Sequence, residues 1–186
     1  ETDKPVWAPA VMTIKELFRS LSPLMLAENE VLLLELFREL QKFRKTRETF
    51  DDFYYWGDIL LNDFDDIDKY LVDAATIFRN VQDLKMIDHQ FGGLTPDQID
   101  IIRRFWNNFD AGKQTDEKKR FADIWSVLAD VYTGFRASLR LKNYAYEGMI
   151  FRDVIDHKRW MNQRAFRWDK VHFIGFNALN ECEKTL

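Results

Sequence analysis

The chain has 186 residues, 46% of them apolar and 15% aromatic, and a formal net charge of -4. That composition excludes a disordered polypeptide, and at this length roughly 70% of the unfolded surface can be buried in a single core. The lone cysteine, Cys182, excludes an internal disulfide and a multi-cysteine zinc site, and points to a reducing compartment, with the cytoplasm as the expected location. No apolar run approaches the roughly 20 residues that cross a bilayer, since Val31 to Leu34 is flanked at once by Glu30 and Glu35, so no membrane partner is expected. There is no leader pattern and no methionine at position 1, which suggests a segment of something longer. Charge is unevenly placed: residues 48–117 hold 16 acids against 6 bases, and residues 136–170 hold 9 bases against 4 acids.

In chain order, Pro5 and Pro9 force an extended start, and Ala10 to Thr13 reads as a short strand. Thr13-Ile14-Lys15-Glu16 is a capping box that opens a helix carrying Leu17, Phe18 and Leu21. A second helix over residues 28–46 presents Val31, Leu34, Leu36, Phe37, Leu40 and Phe43 as its inward face and ends in Lys42, Arg44, Lys45 and Arg47. Thr49 with Asp52 repeats the capping box, followed by Phe53, Trp56, Ile59 and Leu60 at helical spacing. Asp65 or Asp66 then caps a short turn through Tyr70, and Asp73 caps a helix over residues 74–87 with Ile77, Phe78, Val81 and Leu84 inward.

Gly92-Gly93 breaks that pattern, and Thr95-Pro96-Asp97-Gln98 opens a helix whose stripe is Ile99, Ile102, Phe105, Trp106 and Phe109. Thr115 starts a long helix to about Lys142 with Phe121, Ile124, Trp125, Leu128, Val131, Tyr132, Phe135 and Leu139 in register, weakened by about 1 kcal/mol at Gly134. A helix over residues 144–155, a basic and aromatic stretch over 156–170, a buried strand at Val171 to Ile174 closed by Gly175, and a last helix from Asn180 complete the chain. The expected fold is mostly α: a multi-helix bundle bracketed by two short β-strands, at about 10–13 and 171–175, which can pair in parallel. It is read as one domain over residues 1–186, with no internal boundary. Two isolated strands are marginal by themselves, which again suggests a larger parent.

Few groupings suggest chemistry. Asp63, Asp65, Asp66 and Asp68 have the hard oxygens of a calcium or magnesium site, but Ile67 and Asp68 stand where such a loop needs an oxygen ligand and a glycine. Helix capping and a solvated face account better for these acids, and a metal-dependent enzyme built on them is the outside alternative. His89, His157 and His172 lack partners at ligand spacing, and Gly112-Lys113 lacks the serine or threonine and the leading glycine of a phosphate loop. No catalytic residue, metal or cofactor is expected. The run Lys158, Arg159, Trp160, Arg164, Arg167 and Lys170, with Phe166 and Trp168, has the mixture of cations and rings found on nucleic-acid surfaces. The competing account has those arginines neutralising the acidic half of the same domain or stacking on buried tryptophans.

Thr13-Ile-Lys-Glu-Leu-Phe18, the Phe53 to Asn80 block with Trp56-Gly57-Asp58 and Asn62-Asp-Phe-Asp-Asp66, Ala145-Tyr-Glu-Gly-Met149 and Gly175-Phe-Asn-Ala-Leu179 together resemble a bacterial family. It is the AddB-like, inactivated superfamily I helicase with a PD-(D/E)XK nuclease. The resemblance runs in order over nearly the whole chain and places it in the N-terminal helicase-like part, as a helical insertion segment, with the nuclease elsewhere. In active relatives the strand resembling Val171 to Ile174 is followed by Asp-Glu, which holds magnesium. Gly175 and Phe176 stand there instead, and neither side chain can bind a metal or accept a proton.

The function expected from this is a non-catalytic helical module of a DNA-repair protein. Its expected partners are DNA, the rest of the parent polypeptide or a helicase-nuclease partner subunit. The alternative is a purely structural or protein-interaction domain without DNA contact.

Overall fold

Local capping sets where the helices begin. The computed structural model describes residues 9–43, 49–79, 115–161, 168, 170–175 and 178–186, and of residues 79 and 115–126 the backbone alone. Thr13 accepts from the Glu16 amide at 3.2 Å while the Glu16 carboxylate accepts from the Thr13 amide at 2.7 Å, and α1 runs Ile14–Leu21 from that box. Thr49 and Asp52 do the same for α3, Phe50–Lys69, and Asn180 and Glu183 for α7, Glu181–Thr185. Asp73 accepts from the Ala75 amide at 3.1 Å and from the Thr76 hydroxyl at 2.6 Å at the head of α4, Ala74–Arg79. Between them lie α2, Asn29–Phe43, the long α5, Thr115–Leu141, and α6, Glu147–Asp156, followed by a 3-10 turn, Arg159–Met161.

Among the described residues the fold is mostly helical, with seven α-helices and two short parallel strands, as the patterning implies. The strands lie elsewhere than expected. β1, Met25–Leu26, pairs in parallel with β2, Tyr144–Ala145, through Met25 N to Asn143 O at 2.8 Å and Ala27 N to Ala145 O at 3.0 Å. Residues 10–13 and 171–175 are not strands. Val11 is 92% and Ile174 87% exposed, so the apolar chain there has neither burial nor a ladder. The pair that forms instead ties the α1–α2 connection to the α5–α6 connection. At the latter, Asn143 turns the chain with φ of +57°, a torsion asparagine tolerates.

α2 is also rotated from the expected face. Leu32, Leu33, Leu36 and Leu40 are buried, while Val31, Leu34 and Phe43 face outward. Glu35 and Glu39 go inward with them because cations and close packing accommodate them. Glu35 meets Lys142 at 2.5 Å and Arg38 at 2.8 Å, and Glu39 meets Lys42 at 2.5 Å. A Cβ on Gly134 of α5 would lie 2.1 Å from the Glu39 carboxylate, so the glycine that weakens α5 is what lets α2 approach it.

Neither Asp65 nor Asp66 is a cap, because α3 continues unbroken to Lys69. It stops at Leu71, φ +55°, with Leu71 N on Asp68 O at 3.2 Å and Val72 N on Ile67 O at 3.0 Å, the paired bonds of a left-handed C-terminal cap. α3 packs against α2 and α6, α5 against α2 and α4, and α6 also receives α1 and α7. Phe18 stacks on Phe151 at 4.0 Å and Phe64 meets Tyr132 edge-on at 5.0 Å, placing an aromatic centre between α1, α3, α5 and α6. The expected stripes over residues 81–109 lie outside the described residues, as do the side chains of Phe121, Ile124 and Trp125.

Candidate functional site

The acidic cluster of α3 splits over different surroundings. Asp68, in the last turn, has no exposed surface, and Asp63 is buried too, while Asp65 and Asp66 are half-buried. The solvated-face account therefore does not hold for Asp63 and Asp68. Successive helical positions turn by about 100°, so side chains at 63, 65, 66 and 68 fan around the axis instead of converging. Among the described residues no group of three or more metal-binding side chains is placed to hold an ion.

Asp68 is the centre of a polar junction. One carboxylate oxygen accepts from the Tyr132 hydroxyl and the other from the Tyr146 hydroxyl, each at 2.5 Å. Arg152 Nη1 lies 3.3 Å and Arg136 Nη1 3.5 Å from Oδ1. Arg152 also donates to the Val72 carbonyl at 2.8 Å, and Arg136 sits over the Tyr132 ring at 5.1 Å. The Cys182 thiol donates to the Asp68 carbonyl at 3.4 Å, which fastens α7 to the same point.

Burial, and then the Asp68 charge, push both phenols above the ordinary tyrosine range. They push the Cys182 thiol up in the same way. For Arg136 and Arg152 burial alone would favour the neutral form, but negative charge, chiefly from Asp68 at Arg136, outweighs it and raises both. A carboxylate contacted by two phenols and two guanidinium groups is a structural tie between α3, α5 and α6.

Asp65 caps a helix after all, but a different one. Its Oδ1 accepts from the Gly148 amide at 2.5 Å, at the start of α6, where the N-cap residue Tyr146 makes no side-chain cap bond. Lys69 bridges Asp65 at 2.6 Å and Glu147 at 2.7 Å, and Glu147 also takes Lys15 at 2.9 Å and Arg19 at 3.3 Å. Burial would raise the Glu147 carboxyl, but its lysine partners overcome that and hold it below the ordinary glutamate value.

At the other end of α6, Asp153 is fully buried and gathers Arg140, Arg159, His157 and Ser22. Burial opposes its ionisation, yet these partners, Arg159 foremost, keep its carboxyl low. Of the basic run, Arg159 is thus engaged internally, by an acid of the basic half itself and not of the acidic one. Lys158, φ +47°, and Lys170 are exposed, and Trp160 and Trp168 are half-buried against the core. Arg164, Arg167 and Phe176 lie outside the described residues. Gly175 has φ of +81° and open space around it.

Arg140 and Asp153 carry no signal in the sequence beyond helical position. Their meeting depends on the α5–α6 turn. Compared with protein-family models, with curated proteins and with solved structures, the chain matches none.

Proposed function

We propose that this chain is a non-catalytic helical module of an inactivated helicase-like DNA-repair protein, and that it acts by holding DNA. The observation that carries this reading is Gly175. Its φ of +81° directly follows the apolar run Val171 to Ile174, at the position where the active helicases it resembles place the first of two magnesium-binding acids. A left-handed torsion of this kind disfavours any side chain, so the backbone as well as the residue departs from the active pattern. The acids around Asp68 support the same reading, since Asp65, Asp68 and Glu147 each serve to join elements. Lys158 and Lys170, beside Trp160 and Trp168, supply exposed cations and adjacent rings for a phosphate backbone and its bases.

A second reading, contact with a partner subunit or with the rest of a longer polypeptide, draws on Val171 and Ile174, which are 38% and 87% exposed. Fluorescence anisotropy with labelled single-stranded and duplex oligonucleotides over a salt series, run beside an ATP-turnover assay with magnesium, tests the choice. The expected result is binding that weakens steeply as salt rises, with no ATP turnover. Turnover above the blank overturns the non-catalytic assignment, and absence of oligonucleotide binding at low salt leaves the protein-contact reading in its place.

A further inference from the structure

Resting on the DNA-binding reading above, we propose that the C-terminal end of α6 is a phosphate clamp for a nucleic-acid backbone, built by Arg140, His157, Lys158 and Arg159 around the buried Asp153 carboxylate. Asp153 Oδ1 accepts from Arg140 Nη1 at 3.0 Å and from Arg159 Nη2 at 3.4 Å, and His157 Nδ1 lies 3.3 Å from it. Oδ2 accepts from Arg159 Nε at 2.7 Å and from the Ser22 hydroxyl at 3.0 Å. Two guanidinium groups therefore meet on one carboxylate oxygen, with a third cation, the exposed Lys158, beside Arg159 in the chain. The other acid at this helix end, Asp156, is 3.6 Å from Arg152. One negative charge against three positive ones leaves a local excess, and a second anion between the guanidinium groups relieves their repulsion.

The side chains are held yet open. Arg140 is 38%, Arg159 28% and His157 50% exposed, although the carboxylate they share has no exposure at all. Among the described residues, nothing accepts from Nη2 of Arg140 or Nη1 of Arg159. An arginine whose orientation is already fixed loses little freedom on gripping a phosphate, and its remaining donors suit one. Lys158 closes α6 as Leu71 closes α3, with φ of +47° and its amide on the Ile155 carbonyl at 3.0 Å, so the cap sets the backbone of Lys158 next to Arg159. The cluster lies open, not enclosed in a pocket, and Trp160 follows it directly, which suits a polymer of phosphates and bases better than a free phosphate ion.

Two variants of the whole chain test this with a labelled duplex. Lys158→Gly relieves the torsion and keeps the fold, but removes one phosphate contact. Affinity should fall about eightfold at 0.1 M salt, and the logarithmic salt slope should flatten by about 0.9. Asp153→Asn frees both guanidinium groups, so duplex affinity should rise even as the melting temperature drops, whereas a merely structural cluster would bind no better. If Asp153→Asn does not fold, Lys158→Gly decides alone. Duplex affinity of Lys158→Gly within twofold of the unaltered chain overturns the clamp and leaves DNA binding standing. Failure of the unaltered chain to bind overturns both.

Discussion

Asp68→Asn isolates the charge of the central junction from its shape. The amide fills the same space, its oxygen can accept from one phenol, and its nitrogen can donate to the other, so both tyrosine hydroxyls keep a neutral partner. What disappears is the counter-charge for Arg136 and Arg152, whose side chains are only 19% and 18% exposed and which sit 3.5 and 3.3 Å from Oδ1. Arg136 Nη1 also donates to the Tyr132 hydroxyl at 2.9 Å, but its Nε has no hydrogen-bond partner even with the carboxylate in place, so a neutral oxygen is what that guanidinium falls back on. Leaving a buried charge unpaired costs about 3–5 kcal/mol, against roughly 1 kcal/mol for a neutral hydrogen bond exchanged for another. For a chain of this size the melting temperature should drop by about 6–20 °C. Urea unfolding followed by circular dichroism gives the free energy, and Asp68→Asn combined with Arg136→Met should recover part of it. A single variant within about 1 kcal/mol of the unaltered chain would refute the claim that charge, rather than packing, holds this junction.

Three further outcomes follow from the same geometry. Gly148→Ala places a Cβ 2.3 Å from the Asp65 backbone oxygen, so α3 and α6 must separate. The expected loss is about 1–3 kcal/mol, read from the urea midpoint at constant slope. Tyr132 and Tyr146 have their phenols raised above the ordinary value of 10.0 by burial and Asp68. The stability they contribute is therefore complete below pH 10 and is lost as pH rises above it, because the unfolded chain releases those protons first. Thermal scans upward from pH 9 should show that decline, and phenylalanine at both positions should flatten it. The Cys182 thiol is buried and pushed up by burial and the Asp68 charge. Iodoacetamide labelling in native buffer should accordingly be slower than in urea by a factor on the order of 100 or more. Equal rates would place α7 away from Asp68.

What could be read from the sequence was what neighbouring residues decide. Thr13 with Glu16, Thr49 with Asp52, and Asn180 carry their cap partners within three positions, and each helix start stands where its pattern puts it. Thr115 and the Leu128 to Leu139 stripe were equally legible, because the period of one long helix is a property of that helix alone. The strands were not. An apolar run such as Val171 to Ile174 has the composition of a buried strand, but pairing depends on which main chains run side by side, and Met25 meets Tyr144 only after α1, α2, α5 and α6 have docked. The face of α2 failed for a related reason. A rule that sends glutamate outward cannot anticipate that Lys142, from a distant turn, and the gap at Gly134 make room for Glu35 and Glu39 inside.

The uneven charge of the sequence gains a physical meaning around α6. The acidic block and the basic block meet across the α3–α6 seam, where Asp68 and Asp156 stand against Arg136 and Arg152 and the charges balance. At that seam acid and cation offset each other, and Asp65 and Asp68 of the stretch Phe50 to Tyr70 join helices. In the same half of α6, Asp153 pairs with Arg140 and Arg159, and with Lys158 beside them in the chain these cations outnumber it. A long run of aspartates draws the eye in the sequence, yet balance hides it in the fold. Around Asp153 the surplus is positive, and it sits where a single buried carboxylate aims two arginines without satisfying them.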